Sequence, residues 1–239
     1  MYGYGGFPPY VSVAEKKAKA QQKLAKMKKK NPDLQPIVIE GAKIAKTWWG
    51  VAWNKNLESY ADYTNRIGRG RSYAKNGFIL DLKISVGKID AIVAGTRSKP
   101  YGITIKIDEL EDAKWQKIIQ ACSRQIDSIA DLTLGKFPKD LQEIFTEKGG
   151  GLFPSPEEIH FDCSCPDWAD MCKHIASVLY GIGNRLDDDP LLFFTLRGVD
   201  IESLIKKSTQ EKMTNMLANV DRKSSRMLDG ENIEDLFGL

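Results

Sequence analysis

Three of the four cysteines in this 239-residue chain lie within ten residues of one another. They are Cys163, Cys165 and Cys172, and His174 follows two positions after the last, which gives Cys-x-Cys, six residues, Cys-x-His. Residues two apart in an extended segment point to the same side, so Cys163 and Cys165 can approach one ion together. Three thiolates and one imidazole form a tetrahedral structural set for Zn²⁺. The spacing therefore predicts one zinc ion that has no open position for a catalytic water.

Two further residues of the ligand types lie outside this set. Cys122 falls on the apolar stripe of a predicted helix, which favours a buried thiol that binds no metal. His160, three residues before Cys163, is a weaker candidate ligand. Free thiols without a metal remain the alternative for the cluster. Because the start of the sequence does not look like a signal peptide, we expect a cytoplasmic location, where metal binding is favoured over disulfides.

The charge of the chain is divided unevenly. Residues 1–106 contain 20 lysines and arginines against 7 acidic residues, whereas residues 107–239 contain 15 against 25. This asymmetry favours a polyanionic partner for the first half, although a basic half can also complement an acidic half within one molecule. Hydrophobic residues make up 42% and charged residues 28%, as in folded soluble chains. No apolar run approaches the roughly 18 residues of a membrane span, so we expect no membrane partner.

Candidate contacts to a polyanion lie in two short basic segments. In residues 66–75, predicted as an exposed loop, cations can neutralise phosphates, glycines allow close approach, and a tyrosine can stack on a base. Residues 97–101 repeat the theme at the mouth of a predicted hairpin, and Lys173 stands between two predicted metal ligands. The candidate residues are Arg66, Arg69, Arg71, Tyr73, Lys75, Arg97, Lys99, Tyr101 and Lys173.

The first part of the chain is predicted to combine helices with a small sheet. Apolar residues alternate over residues 78–86, 89–94 and 103–107, which is typical of an antiparallel meander. Residues 37–39 resemble a further strand. A helix begins near Trp48, and Trp49 and Trp53 are predicted to share its buried face because they are four residues apart; Trp48 points elsewhere.

The second part is predicted to be mostly helical around the cysteine cluster. Apolar residues recur every three or four positions over residues 115–130, 141–145 and 175–186. The last of these helices follows the predicted metal ligands directly. Residues 164–171, between Cys163 and Cys172, form the predicted metal loop, and Trp168 in this loop is predicted to pack over the site.

These patterns predict an α+β protein: an N-terminal antiparallel β-meander with helices, followed by a mostly helical lobe that carries a small zinc finger. We divide the chain into a basic arm (1–35), an α+β lobe (36–110), a helical lobe (111–205) that includes the finger (159–186), and a helical or flexible tail (206–239).

The ligand skeleton resembles the SWIM zinc finger, which occurs in bacterial proteins, Mutator-type transposases and relatives of chromatin remodellers. Residues 165–168 (CPDW) and 172–176 (CKHIA) are similar to the bacterial SWIM proteins. Supporting similarities at residues 47–50, 69–73, 152–154 and 196–198 extend the resemblance over about residues 36–205. The resemblance implies a zinc-dependent module that binds nucleic acid or protein and is often encoded beside a helicase-like ATPase.

These features together predict a zinc-binding, non-enzymatic protein that binds nucleic acid, DNA in preference to RNA. The alternative is an adaptor that docks on a helicase-like ATPase without touching nucleic acid. An enzyme is disfavoured because the sequence has no Gly-rich phosphate loop with a Lys-Ser/Thr pair, and no nucleophile pair remains once the metal takes its ligands. We expect no small-molecule substrate.

Overall fold

The computed structural model of the chain describes residues 11–59, 64–122 and 139–218, and in that part it confirms the α+β class. Predictions for residues 123–130, and for the tail beyond residue 218, lie outside the described residues. The strands are β1 (Ile79–Ser85), β2 (Lys88–Val93), β3 (Tyr101–Ile107) and β4 (Ile159–Cys163). The described helices are α1 (Val13–Lys28), α2 (Trp48–Glu58), α3 (Thr64–Lys75), α4 (Asp112–Cys122), α5 (Lys139–Thr146), α6 (Lys173–Asp188), α7 (Leu192–Leu196) and α8 (Ile201–Ala218).

The four strands form one antiparallel sheet in the order β1-β2-β3-β4. The first three strands are the predicted meander, and Gly87 makes its first turn with a φ of 62°, which glycine adopts without a steric penalty. The fourth strand arrives from the cysteine region and pairs Cys163 with Ile103 and Ile159 with Ile107. The sheet therefore joins residues on both sides of the predicted lobe boundary at residue 110.

The prediction of a strand at residues 37–39 is wrong. This segment runs beside β1 and makes only isolated backbone bonds to it: the Ile37 N–H donates to Ile79 O at 3.2 Å, and the Leu82 N–H donates to Gln35 O at 3.0 Å. Pro36 lies between these two bonds and has no N–H to donate. The segment therefore covers the edge of β1 without forming a regular ladder.

Residues 66–75 were predicted to form an exposed loop, but they belong to helix α3. Ile67, Gly70 and Ala74 form its buried face, which packs against α6. A Cβ atom at Gly70 would lie 2.5 Å from the Cβ of Ala176, whereas a Cβ atom at Gly68 would meet nothing within 4 Å. Gly70 is therefore required by the close approach of two helices and not by a flexible loop.

Helix α6 lies at the centre of the molecule, and eleven of its sixteen residues are buried. Its main partners are α3 and α2. The indole N–H of Trp53 donates to Leu179 O at 2.8 Å, and Trp53 and Trp49 are buried as predicted. Asp187, near the end of α6, accepts from the Thr47 N–H at 2.9 Å and from the Thr47 hydroxyl at 2.6 Å. This carboxylate therefore satisfies donors at the start of α2.

Arg197 is a buried cation, with 1% of its surface exposed. Its guanidinium donates to Asp108 O, just after β3, and to the carboxylate of Glu158, just before β4, both at 2.7 Å. The ion pair and the hydrogen bond to a backbone carbonyl offset part of the cost of burying this cation. Arg197 therefore fixes one end of the β3–β4 pair. No described helix is both long and apolar enough to cross a membrane.

We expect Gly70→Ala to destabilise the protein by about 1–3 kcal/mol, because the added methyl group overlaps α6. The matched variant Gly68→Ala should stabilise it by up to about 1 kcal/mol, because alanine favours a helix over glycine and the site is open. Urea unfolding followed by circular dichroism measures both free energies. Equal stabilities for the two variants would contradict the proposed helix contact.

Candidate metal centre and its surroundings

The structure brings the four predicted ligands together. Cys163 ends β4, Cys165 lies two residues beyond, Cys172 is the N-cap of α6, and His174 lies in the first turn of that helix. Their ligand atoms all lie within 4.8 Å of one another, and Cys172 Sγ is 3.8 Å from His174 Nδ1. A tetrahedral site with metal–ligand bonds of about 2.0–2.3 Å has edges of roughly 3.5–3.8 Å. The four side chains can therefore hold one metal ion.

Backbone hydrogen bonds position the two halves of the site. The Ser164 N–H donates to Gly102 O, and the Gly102 N–H donates to the Ser164 hydroxyl, both at 3.0 Å. These bonds extend the pairing with β3 between the first two cysteines. On the other side, the Ala176 N–H donates to Cys172 O at 3.0 Å and begins α6. The end of β4 and the residues after it therefore supply two of the candidate ligands, and the start of α6 supplies the other two.

The thiols of the cluster differ in acidity because they contact one another. Contact with the Cys172 sulfur raises the pKa of Cys163, whereas contact with Cys163 lowers the pKa of Cys172. Contacts with His174 and with the Ile175 N–H lower the pKa of Cys172 further, as is typical of a thiol at a helix N-terminus. The lowered pKa of Cys172 favours its thiolate, which is the form of cysteine that binds metals.

Cys122 behaves differently from the clustered cysteines. It is fully buried on α4, as predicted, and burial raises its pKa to about 12. A thiol with such a pKa stays protonated at neutral pH and packs as a small apolar side chain.

The His174 ring is buried between two tyrosines. Its centroid lies 4.4 Å from that of Tyr101 and 5.5 Å from that of Tyr73. Nε2 of His174 is buried and has no hydrogen-bond partner among the described residues. The other ring nitrogen, Nδ1, is the one that faces the cysteines, 3.8 Å from Cys172 Sγ. Three thiols and one imidazole nitrogen form a donor set that fits a tetrahedral metal centre.

Two side chains near the cluster do not take their predicted positions. Trp168 is 93% exposed, so the prediction that it packs over the site is wrong; the rings of Tyr73 and Tyr101 already cover His174. His160 is exposed, and its Nε2 lies 3.0 Å from a carboxylate oxygen of Asp108. His160 is therefore not part of the cluster.

Four of the candidate nucleic-acid contacts are engaged inside the protein. Arg66 forms an ion pair with Asp167 of the metal loop at 2.5 Å, and Arg71 forms one with Glu58. The candidate contact Tyr101 lies on the buried face of β3 and is 6% exposed. Tyr73 is half-buried and contacts Phe78 edge to face.

The other five candidates remain accessible. Their side chains are exposed, or half-buried for Lys173, and within the described ranges none of them forms an ion pair. These residues are Arg69, Lys75, Arg97, Lys99 and Lys173.

Sequence reasoning missed the lysines of α1 as a group that faces a cleft. Lys16, Lys19, Lys23 and Lys26 line this cleft together with residues 94–98. The available signal was their spacing of three or four residues around Ala20, which places them on one side of the helix. The partner segment across the cleft had no signal in the sequence, because it lies far along the chain.

We expect Cys172→Ser to lose its bound metal and to melt at a much lower temperature. A structural Zn²⁺ contributes on the order of 10 kcal/mol to folding in small finger peptides, and Cys172 joins the metal loop to α6. Elemental analysis of purified chains and thermal unfolding measure the two effects. The control Cys122→Ala should keep one metal ion per chain, since Cys122 lies on α4 outside the cluster. A folded native chain that contains no metal would contradict the assignment.

Comparisons with known proteins find one informative match. The chain is 34% identical over 183 residues to an uncharacterized protein of Mycobacterium tuberculosis (strain ATCC 25618 / H37Rv), which covers 73% of this chain. The match covers 66% of that relative, slightly less than two thirds of its length. No family model matches the chain. No solved structure matches it either.

Proposed function

We propose that this protein binds nucleic acid, DNA in preference to RNA, through a basic surface beside a structural zinc centre. The observation that carries the proposal is the group of accessible cations around that centre. Arg69 lies beside Tyr73, whose ring contacts His174. Lys99 lies two residues before Tyr101, whose ring also contacts His174, and Lys173 is adjacent to that ligand. Cations in such a group can bind the phosphates of a nucleic acid.

Zinc is the ion that this ligand set fits best. Three sulfur ligands and one nitrogen ligand form a recognised tetrahedral structural set for Zn²⁺, whereas Mg²⁺ and Ca²⁺ prefer oxygen ligands. The resemblance of the spacing to the SWIM finger supports the same ion. The four free cysteines suit a reducing compartment such as the cytoplasm.

We infer a structural and not a catalytic role for the zinc. The cluster already supplies four protein ligands, so a tetrahedral ion has no position left for water or substrate. Its role is then to hold the loop of residues 164–171 against α6 and β3. The Arg66–Asp167 ion pair, which is part-buried, fixes the same loop to α3. A rigid loop keeps Lys173 and Arg69 in a fixed relative position.

A second function, as a protein adaptor, is favoured by one observation. Trp168 is 93% exposed on the metal loop, and tryptophan is enriched among residues that dominate protein–protein interfaces. A helicase-like ATPase is the partner that the resemblance suggests. A mostly apolar interface would bind with little dependence on salt, whereas phosphate binding weakens steeply as salt rises.

We expect Arg69→Gln/Lys99→Gln to weaken nucleic-acid binding about tenfold at 0.15 M salt. Each lost phosphate contact reduces the slope of log K against log salt by about 0.7 for a single strand and 0.9 for a duplex. Fluorescence anisotropy with labelled DNA and RNA of the same sequence measures the affinity and the slope.

The matched control for this experiment is Lys117→Gln/Lys148→Gln. It removes the same charge from two exposed lysines on α4 and after α5, away from the metal ligands in the sequence. The control should bind as the native chain does. If both double variants bind equally well, the basic surface beside the zinc centre is not the binding site. Salt-independent binding of a protein partner that Trp168→Ala abolishes would favour the adaptor.

A further inference from the structure

A cleft of about 530 Å³ separates α1 from the segment that follows β2. One wall is α1, the other is formed by residues 94–98, and the rings of Tyr73 and Phe78 line the space between them. The Lys23 ammonium group donates to Arg97 O at 2.6 Å and joins the two walls. The cleft therefore has two walls joined by a hydrogen bond, with aromatic rings between them.

The polar lining of this cleft is strongly basic. Lys16, Lys19, Lys23 and Lys26 face it from α1, and Arg97 faces it from the opposite wall. None of the described residues that line it is acidic. The acidic residue of α1, Glu15, is engaged in the capping box with Ser12. The cleft therefore has the charge expected of a site for an anionic ligand.

The electrostatic state of Lys23 agrees with this interpretation. Partial burial lowers the pKa of Lys23, and the neighbouring charge of Lys19 lowers it further. Both effects disfavour the charged form of Lys23, since burial removes water from the ammonium group and Lys19 carries a like charge. A phosphate in the cleft would oppose both effects.

We infer that the cleft binds the sugar-phosphate backbone of a single-stranded nucleic acid. This inference rests on the proposed function and assigns a strand type and a site to it. Single-strand sites combine a basic groove with aromatic side chains on which bases stack, and the half-exposed ring of Tyr73 lies in the lining here. The lysines of α1 face residues 94–98 across the cleft. Helix α1 therefore cannot enter the major groove of a duplex with these lysines, as an outward-facing recognition helix does.

The cleft lies next to the cations that surround the cysteine cluster, so one nucleic-acid strand can contact both. Tyr73 contacts the cleft on one side and His174 on the other. Arg97 lines the cleft, and Lys99 follows two residues later, toward the ring of Tyr101 that contacts the same histidine. A strand that leaves the cleft therefore continues onto the cations beside the metal centre.

A second basic depression lies between α2 and α3 and is less suitable. It is lined by Lys43, Lys46, Lys55, Lys75 and Arg71, but also by the carboxylate of Glu58. Glu58 already pairs with Arg71 and accepts from the hydroxyl of Tyr180 at 2.7 Å. Glu58 therefore neutralises part of the positive charge of this depression, so the cleft beside α1 is the better site for an anionic ligand.

The test compares two double variants on the same helix. Lys19→Gln/Lys26→Gln removes two cations that line the cleft, and Lys17→Gln/Lys28→Gln removes two exposed cations of α1 that do not. Both variants change the net charge equally and keep good helix formers. We expect the cleft variant to bind a labelled 12-nucleotide single strand about tenfold more weakly at 0.15 M salt, with a slope reduced by about 1.4. The control variant should bind within about twofold of the native chain.

Three oligonucleotides define the ligand: single-stranded DNA, single-stranded RNA and duplex DNA of the same sequence. Either single strand should bind more tightly than the duplex, and the ratio of the two single strands identifies the preferred sugar. Tighter binding of the duplex, or an equal loss of affinity in both double variants, would overturn the assignment of the cleft. Circular dichroism of each variant verifies that α1 is retained.

The outcome separates this inference from the proposed function. If the native chain binds single strands and only Arg69→Gln/Lys99→Gln weakens binding, the cleft is excluded while nucleic-acid binding stands. If the native chain binds none of the three oligonucleotides at low salt, both proposals are wrong.

Discussion

The close approach of α2 and α3 to α6 is the constraint on which the rest of the structure depends. Gly70 lets α3 contact α6 at Ala176, and Gly50 and Gly183 let α2 contact it near its other end. Since dense interiors tolerate little added volume, these positions accept no larger side chain without movement of the helices. Helix α6 begins at Cys172 and His174, so its position also determines where the cluster of three cysteines and one histidine lies.

The fourth strand couples the sheet to this helix. β4 is held at its start by Arg197, through Glu158, and at its end by the cluster that contains Cys163. A change at the cysteine cluster therefore reaches β3 through the backbone pairing of β4 and reaches α6 through the first turn of that helix. The accessible cations lie on α3, at the start of α6 and between β2 and β3, so the surface they form is built from distant parts of the chain.

Local patterns predicted those parts of the fold whose partners are close in sequence. The alternation over residues 78–107 predicted three strands correctly, and the spacing of the cysteines and His174 predicted the four residues that the structure brings together. Prediction failed where the deciding partner is distant. The glycines of α3 suggested a loop because the need for Gly70 arises from Ala176, which no local pattern reveals. Trp168 was predicted to cover the cysteine cluster because the tyrosines that cover His174 come from other elements of the chain.

The order of the strands has a consequence for synthesis of the chain on the ribosome. β3 leaves the ribosome long before β4, so its outer edge has no partner until residues 159–163 emerge. An unpaired edge is a template for association with other nascent chains. The cysteine cluster and Arg197 contact the two ends of β4, and they are complete only when residues 174 and 197 have emerged, so the full set of contacts on this edge forms late in synthesis.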